Sequence, residues 1–386
     1  MIGNLIRSIF LSPRSLIFLV AGSYVLFIGI LFHEAFSIPT DVLYITREFQ
    51  SSNYALGEQG KTISDGVVYT YAGYEYARGI SPTRINFEHP PMVKYLFGWS
   101  IQFFETHVPV SFFFFSLYIF VLTAIGFRSF RSITATALFL FLLFTNELGY
   151  GFSTDALLDL PMTALMLLGL YLADRFREEP KRWWFLLASG VAFGLSMSAK
   201  YPFPLTIGIF GLVMLWILYT TRAVRLILFT TVLAVMTYGA WYIPEFILGS
   251  SILDHLRFEW WRVQWYMGKV AGVKGLMLQT VLFGQHASPY VPSGTIVYGK
   301  YSWLWPTSFL GFMYALLILR DWISGPYLPW KIWTLGAFTV FLLGASHDFY
   351  LVPLMPGFVF FFVQSIDPLL LKLQLWCVKI CGWDHK

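Results

Sequence analysis

The chain has 386 residues, of which 57% are hydrophobic, 20% aromatic and only 12% charged, with a mean hydropathy of +0.64. A soluble domain is about half apolar even with glycine counted, so this composition excludes one and defines an integral membrane protein. The formal net charge of +5 sits in short turns without any basic-aromatic cluster, which excludes a nucleic-acid binder and makes the charge a signal of membrane topology.

Many apolar runs approach the ~20 residues that a helix needs to cross the hydrocarbon, and charged turns separate them, which favours helices over the weak alternating pattern of a barrel. The expected fold is an all-α integral membrane protein, one domain over residues 1–386, with about ten transmembrane helices and two long outer-face loops carrying short interfacial helices.

Residues 1–14 mix apolar and basic side chains and are expected at the cytoplasmic interface. The run Ser15 to Phe32 is too long and lacks the small-residue cleavage site of a signal peptide, so it reads as a retained first span. A polar interval of about 36–89 follows, then the short apolar segment Met92 to Phe104, bracketed by Lys94 and Glu105. Taking that segment as interfacial leaves spans near 15–33, 108–127, 132–149, 156–173, 183–198, 204–220, 224–243, 302–319, 331–346 and 350–366. Arg7, Arg14, Arg128, Arg131, Arg175, Arg177, Lys181, Arg182, Arg222, Arg225, Arg320, Lys331, Lys372, Lys379 and Lys386 then share the side of the N-terminus, a positive-inside pattern. Counting 92–104 as a span would invert the rest and put the arginine turns outside.

On this topology both termini are cytoplasmic and the chain is a multi-pass protein of the cell membrane. The outer face holds the loops 34–107 and 244–301. In the second, RFEWWRVQWYMGK is compatible with an amphipathic helix whose Trp260, Trp261, Trp265 and Tyr266 lie at headgroup level. Residues 367–386 read as a cytoplasmic interfacial tail. Cys377 and Cys381 are four apart with no His or Cys partner for a zinc site.

The topology, chosen from arginines, also gathers the candidate chemistry on one face: Asp41, Asp65, Glu75, Glu88, His89, Lys94, Asp155, Lys200, Glu245, His286, His347 and Asp348 all fall outside. Asp159 lies about a turn inside a span, where a carboxylate costs roughly 2.5–3.5 kcal/mol and is a functional candidate unless it pairs structurally with an outer cation such as Lys200. Asp155 and Asp159 are four apart, a spacing that puts both on one helix face. Lys200 is either a snorkelling anchor or a phosphate ligand. The His347-Asp348 pair is either a solvated turn or a contact to a phosphate or sugar hydroxyl. In the first loop, Pro90 and Pro91 hold His89 at a rigid corner with Lys94 about a turn into the following helix. Asp65 precedes a helix-compatible run, Val67 to Ala77, and is either its N-cap or a base that takes a proton from an incoming hydroxyl or amine.

In order along the chain, Asp65 with Tyr69, Gly79, FEHPPMVKYL (Phe87 to Leu96), LLDLPM (Leu157 to Met162), AKY (Ala199 to Tyr201) and YLVPLMP (Tyr350 to Pro356) resemble the GT-C membrane glycosyltransferases. Within them the nearest likeness is to the protein O-mannosyltransferases and the lipid A aminoarabinose transferases. The resemblance implies an enzyme that moves a sugar from a polyprenyl-phosphate carrier to a hydroxyl or amine acceptor, on protein, lipid or glycan, at the outer or periplasmic membrane face. It implies Asp65 as the base, Asp159 from the LD motif with Asp155 beside it, and a carrier and acceptor site drawn from His89, Lys94, Glu88, Tyr69, Lys200, Tyr201, His347 and Tyr350. It requires no cofactor, although an all-oxygen site between Asp155, Asp159 and Asp65 would suit Mg or Mn. Two departures stand out: Gly66 follows Asp65 where the family commonly has a second acid, so Asp41 is a rival base, and Asp155 stands where an arginine is often found. Phosphate contacts are then left to Lys94, Lys200, Arg78, Arg84, Arg257 or Arg262. The rival reading is a transporter or flippase for a lipid-linked or polar substrate, with Asp159 and Lys200 lining its path. Against it, no repeat symmetry is visible and the charges gather at one face.

Overall fold

The computed structural model describes residues 13–201, 204–269, 275–287, 296–299, 301–318, 328–343 and 350–380. The chain is a helical bundle with a polar cap at one end. Helix α1 (Pro13–Leu31) starts on a proline, whose missing N–H costs nothing in a first turn. Short helices α2 (His33–Ser37), α3 (Val42–Gln50) and α4 (Asn53–Leu56) follow. Asp41 caps α3, its Oδ1 accepting the Tyr44 N–H at 2.9 Å.

The cap is built on a hairpin of α5 (Asp65–Ala77) and α6 (Met92–Phe104). These two helices touch backbone to backbone: a Cβ on Gly73 would lie 2.1 Å from the Lys94 carbonyl oxygen, and one on Gly98 would lie 1.9 Å from that of Gly73. Ser64, not Asp65, occupies the N-cap position of α5, and Asp65 is its first helical residue. A carboxylate there faces the positive end of the helix dipole.

The bundle proper comprises α7 (Val108–Ser129), α8 (Ile133–Phe144), the short α9 (Glu147–Tyr150), α10 (Asp159–Glu178), α11 (Trp184–Ala199), α12 (Leu205–Thr221) and α13 (Val224–Ala240). Gly190 and Gly194 on α11 let α13 approach closely, since a Cβ on either would fall within 2.6 Å of the Thr230 or Ala234 carbonyl oxygen. Next come α14 (Ile243–Ile247), α15 (Ile252–Lys269), α16 (Leu276–Phe283) and the strands β1 (Gln285–Ala287) and β2 (Ile296–Tyr298), a small antiparallel ribbon in register Gln285 to Tyr298. Helices α17 (Leu304–Ile318), α18 (Leu328–Leu343) and α19 (Leu351–Ile380) complete the chain.

Helix α7 and the Leu351–Trp376 part of α19 are long and apolar enough to cross a bilayer unaided, while α8, α11, α12, α13, α17 and α18 are apolar but shorter. The fold is thus that of an all-α membrane protein, with the β ribbon as its departure from pure helix. Two details differ from the sequence reading. Helix α10 begins at Asp159, because Pro161 is accepted only in a first turn. Asp155 therefore lies in the preceding turn and shares no helix face with Asp159. Residues 367–380 continue α19 without a break: Pro356 and Pro368 lie inside it, tolerated where neighbouring helices pack around the segment.

At the arginine-rich end, Arg128 pairs with Asp174 at 2.8 Å. Buried Asp367 of α19 accepts hydrogen bonds from the Ser132 hydroxyl at 2.8 Å and the Arg131 N–H at 3.0 Å, tying the last helix to the start of α8.

Candidate functional site

Five separate stretches bring their polar residues together at the capped end. The first turn of α10 presents Asp159, and the residue that ends α11 presents Lys200. Helix α11 stops there because Tyr201 precedes Pro202 and the residue before proline avoids helical backbone. Lys200 is extended (φ −138°, ψ 156°), and its Nζ lies 2.6 Å from Asp159 Oδ1. The two side chains are 12% and 5% exposed, so this is a buried ion pair. Tyr350, at the entry to α19, places its ring 5.0 Å from the same ammonium.

Asp65 faces this pair from α5. Burial raises its pKa above the usual carboxylate range; Lys200 opposes the rise, Asp159 adds to it, and the hydrogen bond from Tyr69 Oη to Oδ2 at 3.3 Å opposes it. Burial alone would lower the Lys200 pKa, but Asp159 prevails, with help from Tyr350 and Asp65, and keeps the ammonium charged.

His89 completes the group from the proline corner. Its ring meets Tyr69 edge-on at 5.7 Å, and its Nδ1 lies 3.1 Å from Tyr266 Oη and accepts the Tyr201 N–H at 3.4 Å. Burial lowers its pKa well below the ordinary value, and Lys200, Lys94 and Arg262 push it the same way, so the imidazole is neutral. Glu88 accepts a hydrogen bond from Tyr54 at 3.0 Å.

Lys94 does something other than the sequence suggested. It is fully buried and its ammonium donates to Asn86 O and Asn86 Oδ1, both at 2.9 Å, and to His89 O at 2.5 Å. Its three protons are taken by the corner that carries His89, where Asn86 adopts the left-handed φ of 46°. Lys94 is a brace for that corner and offers no proton to a ligand in this arrangement. Arg262 is likewise enclosed, donating to Glu259, Tyr238, Tyr242 and the Phe87 carbonyl. Arg78 pairs with Glu75 at 3.1 Å, and Arg257 with Asp254 at 3.7 Å.

Asp155 is exposed in its turn, where its carbonyl accepts from Ser111 Oγ at 2.8 Å. His347 and Asp348 lie outside the described residues. Of the three carboxylates named for a divalent ion, Asp159 is engaged by Lys200, and Asp155 lies in the turn before α10, off the helix face that carries Asp159. Among the described residues no group of three or more His, Cys, Asp or Glu is arranged to hold a metal.

Sequence reasoning missed Tyr266 and Tyr54 as parts of the site. The signal for Tyr266 was present as the helical spacing of His255, Glu259, Arg262 and Tyr266, a polar stripe overshadowed by the tryptophans around it.

Both fold and motif place the chain in likeness with the GT-C membrane glycosyltransferases. A family model described as dolichyl-phosphate-mannose-protein mannosyltransferase matches residues 109–249, a stretch that holds Asp159, Lys200 and Tyr201 but not Asp65 or His89. The structure of ArnT from Cupriavidus metallidurans in the apo state superposes with a TM-score of 0.56 at 16% identity, covering 94% of this chain and 63% of that one. The same protein bound to undecaprenyl phosphate gives 0.51 at 17% identity over 84% of this chain and 58% of that one. The apo oligosaccharyltransferase of Archaeoglobus fulgidus gives 0.50 at 11% identity over 88% and 51%. At such identities the likeness is one of fold, and the chain spans less than two thirds of each of these proteins. No curated protein sequence matches it.

Proposed function

We propose that the protein is a membrane glycosyltransferase that takes a sugar from a polyprenyl-phosphate carrier and places it on a hydroxyl or amine acceptor at the outer membrane face. The observation that carries the reading is the convergence of Asp65, the Asp159-Lys200 pair and His89 at the capped end of a GT-C-like bundle. The family match and the ArnT structure bound to undecaprenyl phosphate support a lipid-linked donor. The proposal includes about ten spans, cytoplasmic termini and an outer site, supported by the arginine distribution.

The chemistry is a displacement at the anomeric carbon. The acceptor oxygen or nitrogen attacks that carbon, the bond to the phosphate oxygen breaks, and its electron pair leaves with the polyprenyl phosphate. Asp65 takes the acceptor's proton; a carboxylate with a raised pKa is a better base for this than an ordinary one. Lys200, held charged by Asp159, neutralises charge that develops on the leaving phosphate. Tyr69, Tyr201 and Tyr350 line the place where the sugar would sit.

The test is turnover in sealed vesicles. Purified protein supplied with a panel of labelled polyprenyl-phosphate sugars and a hydroxyl or amine acceptor should release free polyprenyl phosphate and form a glycosylated product. Movement of an intact lipid-linked sugar across the bilayer without its consumption would favour a flippase instead.

A further inference from the structure

Between the end of α6 and the start of α7 lies a short joint, Glu105 to His107. Glu105 takes the left-handed φ of 61°, uncommon away from glycine, and its carbonyl accepts the Thr40 N–H at 2.8 Å. The Thr106 carbonyl accepts the Ser100 hydroxyl at 2.6 Å, which pins the joint to the end of α6.

His107 reaches out of this joint in two directions. Its Nε2 lies 3.1 Å from the Thr154 carbonyl oxygen and its Nδ1 3.1 Å from Thr40 Oγ1, while the ring meets Phe97 of α6 edge-on at 6.0 Å. A carbonyl oxygen can only accept, so Nε2 carries a proton and donates it. Burial lowers the His107 pKa, against the pull of the Thr154 bond, so the ring is neutral and Nδ1 accepts the Thr40 hydroxyl. One turn along α7, Ser111 Oγ donates to the Asp155 carbonyl at 2.8 Å.

Thr154 and Asp155 belong to the turn that leads into α10. Ala156 and Leu158 of that turn are buried, and the Asp155 carbonyl also accepts the Leu157 N–H at 2.9 Å. Helix α5 rests against the turn at Gly66, where a Cβ would lie 3.9 Å from the Ala156 carbonyl oxygen. Gly66 adjoins Asp65, and the turn delivers Asp159 to Lys200 at 2.6 Å. The turn therefore stands between the base and the ion pair, and the start of α7 grips two of its carbonyls.

We propose that His107 is a positioning residue of the site: donating from Nε2 to the Thr154 carbonyl while holding Thr40, it fixes the turn before α10 and so sets the Asp159-Lys200 pair relative to Asp65. The effect on turnover rests on the glycosyltransferase reading; the grip on the turn does not.

The experiment uses the full chain in lipid nanodiscs with two variants. In His107→Gln the longer amide reaches the place of Nε2 and still donates to Thr154. In His107→Asn the amide reaches only the place of Nδ1, keeping Thr40 and stranding the Thr154 carbonyl. By hydrogen exchange, His107→Asn should open residues 153–162 about tenfold faster than native, with the rest of the bundle unchanged and melting lowered by no more than about 3 °C, and His107→Gln should stay near native. In turnover, His107→Asn should lower kcat about tenfold with KM for the donor within about twofold of native, and His107→Gln should restore most of the loss. Native exchange of 153–162 in His107→Asn would overturn the grip. Faster exchange across the whole bundle with early melting would reduce His107 to a structural role and overturn the proposal, as would a loosened turn with native kcat. If exchange behaves as expected in a protein that consumes no lipid-linked sugar, the grip stands and the functional reading falls.

Discussion

Replacing Lys200 by methionine would leave the Asp159 carboxylate buried without its partner. The pair is 2.6 Å apart with side chains 12% and 5% exposed, close to the fully buried limit in which losing one partner costs about 3–5 kcal/mol. Contact with the Tyr350 ring, 5.0 Å from the ammonium, is lost as well and adds about 1 kcal/mol. Asp159→Asn should cost less, about 1–3 kcal/mol, because the amide still accepts a hydrogen bond and Asp65 remains to stabilise the ammonium. In the double variant no buried charge is stranded at this pair, so its loss should fall short of the sum of the singles by about 2 kcal/mol. Denaturant titration in mixed micelles, followed by circular dichroism, measures all four corners of the cycle. Additive losses, or single variants within about 0.5 kcal/mol of native, would refute the buried-pair account.

Burial raises the Asp65 pKa, so its stabilising contribution is complete below the unfolded value and is lost as pH rises through the folded one. Thermal melting of Asp65→Asn should therefore lie above native at neutral pH, with the difference vanishing below pH ~4, while native turnover rises with pH through a value above the usual carboxylate range. Lys94→Met should strand the Asn86 and His89 carbonyls and lower stability by about 3 kcal/mol or more, seen as earlier melting, and Lys94→Arg should not rescue it in so enclosed a corner. Gly73→Ala drives a methyl into the Lys94 carbonyl, a backbone atom that cannot swing aside, and should cost about 3 kcal/mol in the same melting assay.

Much of the helical layout was legible in the sequence, because apolar runs bounded by charge or proline leave little choice of helix ends. The stretch Met92–Phe104 emerged with the bounds expected, and α11, α12 and α17 within two residues of theirs. The ends of α10 were less legible: its apolar run gives way to Asp174, Arg175, Arg177 and Glu178 without stopping the helix, since Asp174 and Glu178 pair with Arg177 and Arg128 while Arg175 pairs with Glu179. Proline misled at the other end of the chain, where Pro368 reads as a boundary yet lies inside α19.

The candidate site divides in the same way. Asp65, Asp159, Lys200 and His89 were visible as charges out of keeping with a membrane chain, and the structure brings them together. Asp41, the rival to Asp65, is occupied in capping α3. The partners of Lys94 could not be read, since a lysine one turn into a helix looks the same whether it faces a phosphate or three carbonyl-type oxygens. Tyr266 and the Arg262 network were obscured for a related reason: amphipathicity tells which faces of a helix differ, but only packing tells which of them is turned inward.

The most direct measurement is single-turnover release of polyprenyl phosphate from a labelled donor by native protein, Asp65→Asn and Asp41→Asn under identical conditions. Native protein and Asp41→Asn should release it at similar rates, and Asp65→Asn, folded and still binding the donor, should fall by at least about 100-fold, the usual contribution of a positioned base. Full release by Asp65→Asn would contradict the account.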